Sequence, residues 1–119
     1  MNFTLTESEL TELTTELSQF TALIDQYNVG MVGVENLLQE VARFEAIDWQ
    51  KENMFNQMLG YYALASAYGS LKSKRLDYTE AYYDNEYVYK EISYYHNVQY
   101  VVSRVRKEQW GLCICLLLK

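Results

Sequence analysis

The second half of the sequence places cationic residues beside tyrosines. The residues that combine these two properties in one stretch are Lys72, Lys74, Arg75, Tyr78 and Lys90. Cations attract the phosphates of a nucleic-acid strand, and aromatic rings stack on unpaired bases for about 1–3 kcal/mol per base. Eleven of the twelve tyrosines lie between positions 61 and 100. Because a tyrosine ring also packs in a core with its hydroxyl at the rim, we expect most of these tyrosines to be structural.

Residues suited to catalysis or metal binding are few. The only histidine, His96, has no carboxylate or cysteine three or four residues away, so we interpret it as a surface residue and predict no enzymatic activity. Glu45, Asp48 and Glu52 share one face of a predicted helix, where carboxylates could hold a divalent cation. Such a face is more often simply solvated, and we predict no metal or cofactor.

The composition indicates one soluble helical domain. The chain has 119 residues and no proline, and the absence of this helix breaker favours long helices. No basic and apolar leader and no run of about 20 apolar residues is present, so we expect a cytoplasmic protein without a membrane span. Cys113 and Cys115 alternate with leucine and isoleucine and provide only two of the four ligands of a zinc site, which predicts reduced core thiols.

Charge divides the chain into two unlike halves. Residues 1–60 hold ten acidic and two basic residues, whereas residues 61–119 hold six acidic and eight basic ones. The acidic half predicts a contact with a protein partner, since carboxylates exposed in number repel nucleic acid. The excess of acid overall argues against nonspecific binding of duplex DNA by a single copy.

Helical signals predict an all-α bundle with two regions, residues 1–46 and 47–119. A capping box at Thr6 and Glu9 begins the first helix, and residues 28–30 end it with side chains that tolerate a left-handed backbone. A second helix begins near Val34, with Leu37, Leu38, Val41, Phe44 and Ile47 on its buried side. The sequence leaves open whether residues 34–83 form one helix or two.

The tyrosine-rich region predicts a long antiparallel helical hairpin. Asp84 and Asn85 are the best candidates for its turn, and in that register Tyr78 lies near Lys90 and Arg75 lies near Tyr94. The run 112–118 is apolar on every side, so we expect it to be buried in the domain or against another copy, which predicts a homo-oligomer.

The string Leu71-Lys72-Ser73-Lys74-Arg75-Leu76-Asp77-Tyr78, with a basic helix after it, resembles the recombination mediator proteins of T4-like tailed phages. The resemblance covers residues about 71–107. It implies a small helical protein that assembles into rings, binds single-stranded DNA and loads a RecA-like recombinase. It also implies that Arg75 contacts DNA and that Lys72 or Lys74 takes the part of the family's lysine, with one residue more between Lys72 and Arg75 than the family's motif has.

Three functions follow as hypotheses. The first is a non-enzymatic mediator that binds single-stranded DNA through the five cationic and aromatic residues and a protein through its acidic half. The second is a small acidic inhibitor or adaptor, such as a phage-encoded anti-defence protein, that mimics nucleic-acid phosphates and acts by protein contact. The third is a structural component of a helical assembly.

Overall fold

Four α-helices make up most of the part of the chain that the structure describes. The computed structural model describes residues 12–73 and 81–104, with helices α1 (Glu12–Asn28), α2 (Val34–Glu45), α3 (Met54–Ser73) and α4 (Ala81–Val102). A 3₁₀ turn, Trp49–Lys51, lies between α2 and α3. These residues contain no strand, which confirms the predicted all-α class. The predicted capping box at Thr6 and Glu9, the two cysteines and the apolar run 112–118 lie outside the described residues.

The end of α1 is closed by backbone hydrogen bonds around one glycine. Gly30 has a φ of 80°, the left-handed conformation that glycine adopts without a steric penalty. Its amide donates to the carbonyl of Tyr27 (3.1 Å), and the amide of Met31 donates to the carbonyl of Gln26 (2.8 Å). These two bonds form a Schellman motif, which satisfies carbonyls that the helix leaves open. The predicted end of the first helix is therefore confirmed, and α2 begins at Val34 as predicted.

Three helices share the main core. Phe20 of α1 and Phe44 of α2 stack with their ring centroids 4.5 Å apart, and removing each ring from water stabilises the fold by about 1.5–3 kcal/mol. The next helix, α3, is buried on several sides, with Leu64, Ala65 and Ala67 fully enclosed. Although α3 is so apolar, no helix in residues 12–73 and 81–104 is long and apolar enough to cross a membrane.

The buried face of α2 is narrower than the sequence predicts. Leu37, Val41 and Phe44 are buried, whereas Leu38 is 38% exposed. The three buried residues recur at intervals of four and three, so they define one stripe on the helix. Leu38 lies beside that stripe, and its predicted burial is wrong.

Residues 46–53 separate α2 from α3, so the region 34–83 does not form one helix. Asn53 accepts a hydrogen bond at its side-chain Oδ1 from the backbone amide of Asn56 (2.8 Å), which is the geometry of a helix N-cap. At the other side of the break, the indole Nε1 of Trp49 donates to the carbonyl of Phe44 (3.0 Å). The first turn of α3 and the last turn of α2 are each satisfied by a side chain from the connecting segment.

Trp49 is held in this position by a glycine in α3. The indole is 5% exposed, and a Cβ built on Gly60 would lie 2.2 Å from two of its ring carbons. Only the missing side chain of Gly60 lets the indole lie flat on α3. The connecting segment is therefore anchored to the bundle through one tryptophan and one glycine.

The helices α3 and α4 pack along each other in opposite directions. The ring of Tyr68 lies 5.8 Å from that of Tyr87, and the ring of Tyr61 lies 6.2 Å from that of Tyr94. The residue numbers of the contacting tyrosines decrease along α3 while those of their partners increase along α4, so the two helices are antiparallel. A second cluster forms where Met58 packs with valines at the end of α4.

The predicted turn at Asp84 and Asn85 is wrong. Both residues lie inside α4, which runs without interruption from Ala81 to Val102. The ring of Tyr94 stacks on Tyr61 and Tyr68, while Arg75 and Tyr78, the other members of the predicted pairings, lie outside the described residues. The turn preference of an Asp-Asn pair is outweighed here by the packing of a long helix against α3. The segment that joins α3 to α4, residues 74–80, lies outside the described residues.

We expect Gly60→Ala to destabilise the protein by about 1–3 kcal/mol, because the added methyl group must displace the buried indole of Trp49. At a helical glycine with free space beside it, the same substitution would stabilise the protein by up to about 1 kcal/mol. The sign of the change therefore shows whether the indole of Trp49 occupies the space beside Gly60. Urea unfolding followed by circular dichroism measures it. Ser70→Ala on the same helix is the matched control, with an expected change of a few tenths of a kcal/mol. A Gly60→Ala variant as stable as the parent would contradict the packing of Trp49 on α3.

Candidate interaction surface

The structure describes two of the five residues that the sequence predicts as a nucleic-acid site. Lys72 Nζ lies 2.8 Å from Glu91 Oε1, and Lys90 Nζ lies 3.4 Å from Glu45 Oε2. Each lysine thus joins two helices through an ion pair, with its side chain partly exposed. Such pairs contribute up to about 1 kcal/mol each. The structure does not describe Lys74, Arg75 and Tyr78, so the predicted site as a whole stays a prediction.

Glu45 connects three helices. It is the last residue of α2, and its Oε1 accepts a hydrogen bond from the hydroxyl of Tyr68 (2.8 Å) on α3. Its Oε2 accepts from the hydroxyl of Tyr94 (2.8 Å) and from Lys90 Nζ (3.4 Å), both on α4. Hydrogen bonds to an ionised carboxylate are stronger than neutral ones. The carboxylate therefore fixes the end of α2 against both other helices.

The same contact perturbs the two tyrosines. Burial raises the pKa of Tyr68 far above its ordinary value, and the hydrogen bond to Glu45 raises that pKa further. The pKa of Tyr94 is raised by the same two causes in the same order. Both shifts favour the neutral phenol, because a phenolate here would be poorly solvated and would face the negative charge of Glu45. The two hydroxyls are structural donors and not general bases.

Glu91 lies against a glycine of α3. A Cβ built on Gly69 would lie 2.4 Å from Glu91 Oε2, so the absence of a side chain at Gly69 creates the space for the carboxylate. Glu91 then reaches Lys72 from the inner side of α4. This arrangement removes the only acidic residue between positions 89 and 104 from the outer side of α4.

The three carboxylates that the sequence considers as a metal site have separate partners. Glu45 accepts from the tyrosines and Lys90, Asp48 Oδ2 lies 3.7 Å from Lys51 Nζ, and Glu52 Oε1 accepts from the carboxamide of Asn56 (3.4 Å). Within residues 12–73 and 81–104, no group of three metal-ligating side chains is found.

The outward face of α4 is the most distinctive surface of the described residues. It consists of Tyr89, Ile92, His96, Tyr100 and Arg104, which recur at intervals of three and four and are all exposed. Tyr89 is 72% exposed, Ile92 is 49% exposed and Tyr100 is 63% exposed. From Tyr89 to Arg104 the face carries no carboxylate, although the whole chain has a formal net charge of −6. The exposed Glu86 lies one turn before Tyr89 and bounds the face at that end.

Arg104 lies in the turn after α4 and forms no ion pair with a carboxylate of the described residues. Its guanidinium carbon lies 5.6 Å from the ring centroid of Tyr100, and its Nη1 donates to the hydroxyl of Tyr100 (3.2 Å). The other basic residues in the described part of the chain are Arg43, Lys51, Lys72 and Lys90. Each of these four lies within ion-pair distance of a carboxylate. Arg104 has no such partner among those residues.

None of the five residues of this face is among the five that the sequence predicts as a nucleic-acid site. The exposed residues from Tyr89 to Arg104 recur at helical spacing, and Glu91 is the only acidic residue at positions 89–104. The pattern of this face was therefore visible in the sequence. It was hidden by a second helical pattern of valines on the same segment. Of those valines, Val98 and Val102 are buried.

Comparisons with protein-family models, with curated proteins and with solved structures give no match for this chain. The resemblance of residues 71–107 to phage recombination mediators therefore stays a prediction that rests on the sequence string alone.

We expect stability to fall above about pH 10, because the unfolded state releases tyrosine protons that Tyr68 and Tyr94 keep in the fold. A group whose pKa is raised by folding contributes its full stabilisation below the unfolded value of about 10 and loses it as the pH rises further. Each of the two tyrosines should add about 1.4 kcal/mol per pH unit to this loss. Urea unfolding between pH 8 and 11.5 measures the slope. Tyr68→Phe and Tyr94→Phe should each reduce it, and slopes equal to the parent's would contradict the assignment.

Proposed function

We propose that the protein is a non-enzymatic helical adaptor or inhibitor that acts by binding another protein through the outward face of α4. The observation that carries this proposal is the exposure of Tyr89, Ile92 and Tyr100 on one helix face that carries no carboxylate from Tyr89 onward. Exposed apolar side chains grouped on one face are characteristic of interaction surfaces, whereas scattered single ones are not.

The residue types on this face are those that contribute most to protein interfaces. Tyrosine and arginine are enriched among the residues whose truncation weakens binding most, and acidic residues are depleted in interface centres. Tyr100 and Arg104 already contact each other, so part of the conformational entropy of the two side chains is lost before a partner binds. A partner helix or loop with apolar side chains would bury Ile92 between the two tyrosines.

The acidic half offers a second surface to a protein partner. Glu12, Asp25 and Glu35 are exposed on α1 and α2, and a partner with a basic surface would be attracted by them. In this proposal the protein acts in the cytoplasm, α3 and α4 form a helical hairpin, and the chain assembles as a homo-oligomer. Repetition of one weak site around an oligomer would raise the avidity for a repetitive partner.

A second candidate is a single-stranded DNA-binding recombination mediator. It is favoured by the pair Tyr100 and Arg104, which places a cation over an exposed ring at the end of α4. Rings and cations in this arrangement suit a strand whose bases stack and whose phosphates need a counter-charge. Lys72 and Lys90 contribute less to this candidate, because carboxylates already compensate their charges.

Ile92→Glu should weaken partner binding at least about tenfold, because it places a charge in the centre of the proposed interface. The measurement is affinity capture from nuclease-treated extract of the source cells with the tagged full chain, followed by quantification of each retained protein. Met31→Glu is the matched control, since Met31 is 73% exposed and lies in the α1–α2 connection and not on α4. A partner lost with Met31→Glu and kept with Ile92→Glu would move the interface to the acidic half and overturn the proposal for α4.

For the mediator candidate, Arg75→Glu should weaken binding to labelled oligo-dT more than tenfold. It should also reduce the slope of log affinity against log salt by at least about 0.7, the value for one lost phosphate contact on a single strand. Fluorescence anisotropy at several salt concentrations measures both. Arg43→Gln is the matched control, because Arg43 is bound by Glu16 and Glu40. No binding by the parent, or equal binding by Arg75→Glu, would remove this candidate.

A further inference from the structure

A groove of about 540 Å³ lies between the 3₁₀ turn, α3 and α4. Its walls include the carboxamides of Gln50, Gln57 and Asn97, the rings of Tyr61 and Tyr100, and the guanidinium of Arg104. This volume lies in the range of sites that hold a ligand of a few hundred daltons. The groove is therefore large enough for a small molecule and not only for water.

The lining combines hydrogen-bonding amides with aromatic rings. No carboxylate is among the described residues that line the groove, although the chain as a whole is acidic. A carboxamide both donates and accepts, so it can read the edge of a heteroaromatic ring that carries donors and acceptors together. Gln57 is held in place because its Nε2 donates to the carbonyl of Glu52 (2.8 Å).

The rings give the groove a flat apolar component. Tyr61 lies on α3 with its ring 5.9 Å from the buried indole of Trp49 and 6.2 Å from Tyr94. These contacts hold it rigidly, so little side-chain entropy is lost when a planar ligand packs on it. Tyr100 is exposed on the other side and can adjust to the ligand.

Arg104 supplies the charge. Among the described residues, its guanidinium is the only cation that lines the groove, and no carboxylate of those residues forms an ion pair with it. Arginine binds phosphate or carboxylate through two parallel hydrogen bonds, and its contact with the hydroxyl of Tyr100 still leaves several donors available. An anionic group on the ligand would therefore lie at the α4 end of the groove.

We propose that this groove binds a nucleotide unit, with the base between Tyr61 and Tyr100, the edge of the base on the carboxamides, and the phosphate on Arg104. The nucleotide can be a free mononucleotide or one residue of a single strand, since both present a planar base and a phosphate. This inference goes beyond the proposed adaptor function, because Gln50, Gln57, Tyr61 and Asn97 are not part of the outward face of α4.

The test is an NMR titration of the full-length, ¹⁵N-labelled protein with AMP, with adenosine and with inorganic phosphate. AMP should shift the side-chain amide signals of Gln50 and Asn97 in a saturable way. Adenosine lacks the phosphate and should bind at least about tenfold more weakly, and phosphate alone should leave these amides unshifted. Arg104→Gln should abolish the difference between AMP and adenosine. Arg43→Gln, the matched control, should preserve it.

The outcomes decide the ligand and its source. Equal affinities of the parent for AMP and adenosine, or no saturable shift of the groove amides by AMP, would overturn the proposal. Oligo-dA that binds more tightly per strand than AMP would identify a strand as the source, and equal affinity would identify the free nucleotide. Ile92→Glu should leave AMP binding unchanged, so a failure of the adaptor function and a failure of the groove can be told apart.

Discussion

The carboxylate of Glu45 is the contact on which the arrangement of the helices depends. A carboxylate that leaves water needs donors for its lone pairs, and here these come from Tyr68 on α3 and from Tyr94 and Lys90 on α4. Because one group accepts from two helices, it fixes the rotation of α4 about its own axis. The side of α4 that carries Tyr94 and Lys90 must face the end of α2. The opposite side, from Tyr89 to Arg104, consequently faces outward.

The ion pairs of the bundle have a functional consequence, because they divide the surface by charge. Lys72 and Lys90 are drawn toward carboxylates of neighbouring helices, so the cations that the sequence places beside the tyrosines do not form a free positive strip in the described residues. Glu91 is drawn inward in the same way, into the space that Gly69 leaves open. The result is an acidic protein with one helix face that carries no acid from Tyr89 to Arg104. That face can approach an apolar or anionic partner without the repulsion that the rest of the surface would exert.

The sequence predicted the features that depend on local backbone chemistry. Its predictions were wrong or left open where contacts between distant residues determine the structure. The left-handed Gly30 and the start of α2 follow from short-range preferences that no tertiary contact opposes. The break before α3 depends on Asn53 as a cap and on the fit of Trp49 against Gly60, and that fit is a property of the packed bundle. The register of α4 was misjudged because a tyrosine-rich helix offers several pairings of rings with similar area. Contacts between the helices select among them, namely the hydrogen bonds to Glu45 and the ion pair of Lys72 with Glu91, and a glutamate at a helix end reads from sequence as a solvated charge.

The tyrosines that the structure describes differ in the partner of the hydroxyl. Where the hydroxyl donates to Glu45, as in Tyr94, the ring is stacked between neighbours and the phenol has no free face for a ligand. Where the ring lies outside, as in Tyr89, the face and the hydroxyl both meet solvent. Aromatic density in a sequence is therefore not a measure of binding capacity. Any aromatic contact that residues 86–104 make with a partner has to come from the few rings that the core does not use, and of these Tyr100 alone is associated with a cation. The exposed ring of Tyr100 and the guanidinium of Arg104, which no described carboxylate compensates, direct a ligand to the end of α4. The number of tyrosines does not.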